Sequence, residues 1–203
     1  MAQFQLLAEP LWVNLLVFIP PSMFIGWRSR ALEISRRQLL FATFFALAFG
    51  FVEAAVVVYL RAATGLLPGY TETLSEVQRL GSSALYPPNI VQFPQSLLTV
   101  EVMREGATLV MLVSIAMLAA ARARERWAIF LWTFALWDIS YYVGLWATIR
   151  WPASLTDLDV LFLIPVPWMA QVWFPILVSV LTLIAVGFSK EKSGPVQERI
   201  TEK

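Results

Sequence analysis

The sequence predicts an all-α membrane protein, a polytopic transmembrane bundle of about five spans, and three observations carry that prediction. Hydrophobic residues make up 59% of the 203-residue chain and charged residues only 14%, a balance outside the soluble range and ordinary for a chain solvated by lipid. Apolar runs of about 20 residues recur along it, each long enough to cross ~30 Å of hydrocarbon as a helix. Lysine and arginine, Arg104 apart, lie between or after those runs rather than within them.

The runs place the spans at residues 11–27, 39–60, 97–121, 127–149 and 168–188, within a single integral membrane domain of residues 1–189. The first run has its arginines after it, the reverse of a cleaved signal peptide, so it is expected to remain as a span. Pro20 and Pro21 remove two amide donors inside that run and are expected to kink or split the helix. A short link containing Arg36 and Arg37 follows. The second span carries Glu53, with Ala46, Gly50 and Ala54 as small neighbours that let another helix approach closely. Residues 61–95 form the longest loop. In it Thr73 and Glu76 make a capping box, Leu74, Val77 and Leu80 an apolar face and Gly81 a stop, which together predict a short surface helix.

The third span opens on Glu101, Arg104 and Glu105, which share a helix face with Thr108. The fourth carries Asp138, followed one turn later by Tyr141 and Tyr142, whose hydroxyls are expected to donate to that carboxylate. Trp151, Asp157 and Asp159 mark the next loop as a second candidate site. Beyond it the chain is apolar from Val160 to Phe188, longer than one span needs, and interrupted by Pro165, Pro167 and Pro175. Residues 160–167 are therefore expected to form a short re-entrant or kinked Pro-rich segment before a membrane helix from Trp168. Residues 190–203 are a polar tail.

The basic residues fall in three groups: Arg28 to Arg37, Arg122 to Arg126, and Lys190 onward. Cytoplasmic placement of all three puts the N-terminus outside and the C-terminus inside a cell membrane, with no conflict between groups. As topology signals they imply no nucleic-acid partner. Trp12, Trp27, Trp127, Trp146, Trp151 and Trp168 fall near span ends and read as an interfacial belt rather than a ligand cage. The expected partners are the lipid bilayer and a membrane complex or homo-oligomer.

The chain has no histidine and no cysteine, which removes haem held by His, iron–sulfur clusters, thiolate zinc and Ser-His or Cys-His nucleophile pairs. A metal ion would have to be a hard, oxygen-liganded one such as magnesium or calcium. Counting ~1.5 Å per residue from the basic ends puts Glu53 and Glu105 both roughly 25 Å deep and Asp138 roughly 18 Å deep, so the three belong to one region. Glu53, Glu101, Glu105 and Asp138 face a single Arg104 there, an excess of acid that is expensive in low dielectric unless some groups hold protons or a cation. Three classes of function fit that excess. The first is a structural or accessory subunit, or a protein binding a cation or headgroup. The second is an enzyme acting on a lipid or isoprenoid, cofactor-free or magnesium-dependent. The third is part of a proton- or cation-coupled transporter.

Overall fold

The computed structural model describes residues 4–28, 31–63 and 95–189. A 3₁₀ segment, Leu11–Phe18, runs into α1, Ile19–Arg28. Four more helices follow: α2 (Arg36–Ala63), α3 (Gln95–Ala119), α4 (Ala123–Ile149) and α5 (Trp173–Ser189). A two-stranded antiparallel sheet, β1 (Leu158–Phe162) and β2 (Trp168–Gln171), stands between α4 and α5. Leu11–Arg28, Arg36–Ala62, Leu97–Ala119 and Ala123–Ile149 are long and apolar enough to cross a membrane, and α5 is a shorter apolar helix. The expected surface helix at Thr73 to Gly81 and the polar tail lie outside the described residues.

The helix type changes at Pro20 and Pro21 because both prolines sit in the first turn of α1. The Ile19 N–H still reaches the Leu16 carbonyl of the 3₁₀ turn, but the two prolines have no amide to carry that ladder on, and their fixed φ suits the first turn of an α-helix. The main interface is α2 against α4. Ala46 and Ala54 are fully buried in it, and a side chain at Gly144 would come within 2.8 Å of the Ala54 methyl. Gly50 lies so close to Ser140 that only a hydrogen fits. Small residues thus bring α2 and α4 close enough for Glu53 and Asp138 to share one interior.

The basic links gather at one end of the bundle. Leu32 N–H donates to the Ser189 carbonyl (2.8 Å), Gln38 Nε2 to the Ala119 carbonyl (2.6 Å) and Arg124 Nη2 to the Ala31 carbonyl (2.9 Å), while Arg122 pairs with Glu33 at 2.6 Å. Trp27, Leu32, Ile129 and Val186 close an apolar core beneath them.

The Pro-rich run corrects the sequence expectation. It is not a kinked continuation of the last span but a β-hairpin, and the helix starts at Trp173 rather than Trp168. Leu158 pairs with Gln171, Asp159 with Ala170, Val160 with Met169 and, past a bulge, Phe162 with Trp168. Glu9 joins β2 as an isolated bridge, its N–H and carbonyl each bonded to Met169 at 2.7 Å. Pro165 and Pro167 sit in the connection, where neither must donate to a ladder. The hairpin still dips into the bundle, since Phe162 stacks on Phe134 of α4 with ring centroids 6.1 Å apart.

Candidate functional site

A cavity of about 260 Å³ lies between the helices and the hairpin. Its walls hold Glu53 from α2, Glu101, Arg104, Glu105 and Thr108 from α3, Asp138, Tyr141 and Tyr142 from α4, Asp159 from β1, and Ser179 and Thr182 from α5. All seven residues expected to form an intramembrane polar site therefore line one space, and Asp159 from the loop group joins them.

The α3 side of the cavity is paired. Arg104 reaches Glu101 one turn earlier, with Nε 3.0 Å from Oε2 and Nη2 on Oε1, and extends Nη1 across to Glu53 on α2. Thr108 Oγ1 donates to the other Glu53 oxygen at 2.9 Å. One guanidinium thus bridges two carboxylates on two helices, at the single level that counting residues had implied. Glu105 does something else. Its Oε2 accepts the Leu163 N–H at 2.8 Å, with the Ile164 amide also facing it, so it terminates the hairpin where the ladder runs out of acceptors.

The α4 and α5 side is different. Asp138 is buried, and its donor among the described residues is Ser179 Oγ at 2.8 Å. The expected Tyr142 bond to Asp138 is not made. Tyr142 O–H donates to Asp159 Oδ2 at 2.7 Å instead, because the hairpin carries that carboxylate down beside the ring. Tyr141 stacks on Trp137 (6.2 Å) and lies near Arg104. Asp138 and Asp159 are close enough to feel each other's charge. Burial pushes the Asp159 carboxyl up to about 6, opposed by the Tyr142 hydroxyl and by the Arg61 charge.

No family model, curated protein or solved structure matches this chain. What the site can do must therefore be read from its own geometry.

The remaining loop candidates separate from the cavity. Asp157 organises its own turn, accepting from the Ala153 and Ser154 amides at 2.8 and 3.1 Å. Trp151 is buried beneath Arg61, whose guanidinium carbon lies 4.4 Å from the ring centroid. The tryptophans expected to form a belt take different places: Trp27 and Trp151 are core residues, and Trp127 and Trp168 line the cavity.

Sequence reasoning missed Arg61, Ser179 and Thr182. Arg61 looked like an ordinary charge at a span end. The hydroxyls looked like the usual Ser and Thr of a membrane helix, which bond back to their own backbone; Thr182 does so, to the Val178 carbonyl at 2.7 Å, but Ser179 turns to Asp138. Among the described residues no three acidic side chains converge as a metal-binding group. Each carboxylate instead has its own direction and partner, so the cavity offers dispersed negative charge over an apolar, aromatic wall.

Proposed function

We propose that this chain is a five-span integral membrane protein of the cell membrane, N-terminus outside and C-terminus cytoplasmic, that binds a cation or the cationic head of a larger molecule in an intramembrane acidic cavity. The observation that carries the reading is the composition of that wall: Glu53, Glu101, Glu105, Asp138 and Asp159 line it with Arg104 as its one basic residue among the described residues. Paired networks can satisfy Glu53, Glu101 and Glu105. The Arg61 charge acts on Asp159, so the Asp138 and Asp159 pair keeps one uncompensated negative charge that a bound cation would neutralise.

The topology rests on the gathering of the Arg36 and Arg122 to Arg126 links with Ser189 at one end, which the positive-inside rule makes cytoplasmic. A C-terminal alkaline phosphatase fusion should be inactive. Activity there would reverse the orientation.

The dispersed carboxylates favour an organic cation over magnesium or calcium, which need several oxygens on one ion. In lipid nanodiscs, ethanolammonium or choline should therefore raise the melting temperature of the wild-type chain and not of Asp138→Asn, with magnesium and calcium giving smaller shifts. The same comparison across Glu53→Gln, Arg104→Met and Glu105→Gln separates binding from architecture. Uniform destabilisation with no response to any cation would sink the binding reading. A second reading, that of an accessory subunit whose polar groups only fix helix register, would then stand. It draws on one specific observation, that Arg104 already bridges Glu53 and Glu101.

A further inference from the structure

The acidic groups occupy only one end of the cavity. From Asp138 toward the basic end of the bundle, α4 presents Phe134, Phe130 and Trp127 at helical spacing, and all three line the same space. Their rings form a ladder, with centroids 5.2 Å apart from Trp127 to Phe130, 6.0 Å from Phe130 to Phe134 and 5.3 Å from Phe134 to Trp137. Leu16 and Ile19 of the N-terminal helix line the space as well. The apolar stretch from Trp127 to Phe134 covers about 10 Å of helix axis, the length of roughly eight methylene groups at ordinary bond lengths. A volume of about 260 Å³ falls under the roughly 300–1,000 Å³ of pockets for drug-sized ligands, which leaves room for one chain and excludes two.

A second observation concerns the head end. Trp137 is more than nine-tenths buried, it lines the cavity, and among the described residues its Nε1–H has no hydrogen-bond partner; the Trp168 Nε1–H, on another wall residue, has none among them either. Indole nitrogen is only a donor. The wall thus combines carboxylates that call for a positive charge with tryptophans whose donors call for an oxygen.

Building on the cation-site reading, we infer that the cavity is a slot for a single-chain amphiphile whose head carries a protonated amine next to a hydroxyl, a long-chain amino alcohol. The ammonium group lies against Asp138 and Asp159. The hydroxyl oxygen accepts from an indole N–H, and the chain runs along Phe134, Phe130 and Trp127. Phosphate heads do not suit this wall, because Arg104 is occupied by Glu53 and Glu101.

Four probes test the assignment on the full chain in nanodiscs, with binding followed by native mass spectrometry: aminodecanol, decylamine, decanol and ethanolamine. Aminodecanol should bind about tenfold or more tighter than ethanolamine, through burial of its chain, and likewise tighter than uncharged decanol. Phe134→Trp, which narrows the slot without touching the acids, should weaken aminodecanol and leave ethanolamine unchanged. Trp137→Phe should weaken aminodecanol about fivefold or more and leave decylamine unaffected. Equal affinity for ethanolamine and aminodecanol would overturn the chain slot while the cation site survives. Tighter binding of decanol than of aminodecanol would overturn the charged head, and the cation-site reading with it, as would failure of all four probes to bind.

Discussion

The two sides of the cavity use the same residue types to opposite ends. On the α3 side, Glu53, Glu101 and Glu105 each face a donor fixed by the fold: the Arg104 guanidinium, the Thr108 hydroxyl and the Leu163 amide. On the α4 and α5 side, Asp138 and Asp159 face hydroxyls from Ser179 and Tyr142 and repel each other, with the Arg61 charge acting on Asp159 alone. The first arrangement is tied to fixed donors and holds three elements together. The second is held in place with charge to spare. An ion pair across two helices fixes their register, whereas a carboxylate served by one hydroxyl keeps acceptor capacity for something that arrives later. Substitutions on the two sides should therefore differ in kind as well as in size.

The largest effect is expected at Arg104. Arg104→Met leaves Glu53, whose side chain is 5% exposed, without its cation, and breaking a buried pair from one side costs ~3–5 kcal/mol. Purified protein should melt far lower or fail to accumulate. The double change Arg104→Met with Glu53→Gln should recover part of the loss, because it removes both charges. A double variant no better than Arg104→Met would show that the bridge is not what holds α2 to α3.

Next comes the hairpin latch. Glu105→Ala strands the Leu163 N–H in an apolar setting, a loss of ~1–3 kcal/mol, while Glu105→Gln keeps a carbonyl oxygen in place and should lose only a fraction of that. Hydrogen exchange at Leu163 and Ile164 reads the difference directly. Fast exchange in the alanine variant and near-native protection in the glutamine variant are expected; equal exchange in both would mean that charge, not hydrogen bonding, holds the hairpin.

The hairpin also marks where the sequence stopped being legible. Four long helices could be read because each is an apolar run that nothing else in a membrane chain resembles. The meeting of Glu53 with Arg104 could be read because depth follows from counting residues back to a basic link. Val160 to Pro167 could not, since a short apolar run is equally a strand or a helix by pattern. What makes it a strand is remote: the Glu9 backbone on one side of β2 and the Glu105 carboxylate at the tip. That same hairpin moved Asp159 out of a presumed loop and into the cavity, and took Tyr142 from Asp138 to do so. Ser179 carried no signal at all, because a serine in an apolar helix reads the same whether it bonds to its own backbone or to a carboxylate across the bundle.

A smaller effect, opposite in sign to the usual carboxylate, is expected from pH. The Asp159 carboxyl is raised from its ordinary 3.8 to about 6 in the folded chain, so between those values the folded state holds a proton that the unfolded state has released. Folding there takes up a proton, and stability falls as pH rises through the window and is regained on acidification. Melting temperature should climb as pH drops from 7 to 5. Asp159→Asn should flatten that slope, and an unchanged slope would assign the titration to another group.

The smallest effect on stability should come from Asp138, and it separates the two sides most cleanly. Asp138 has no ion-pair partner among the described residues and is repelled by Asp159, so Asp138→Asn removes a buried charge without orphaning another. The amide oxygen can still accept from Ser179 Oγ, which now lies 2.8 Å from Oδ2. Melting temperature should shift by no more than the experimental scatter, or rise, whereas binding of ethanolammonium should disappear. Loss of several degrees would instead put Asp138 with Glu53 among the groups that hold the bundle together. The acid excess would then be a feature of architecture, and the cavity would lose its claim to a cationic ligand.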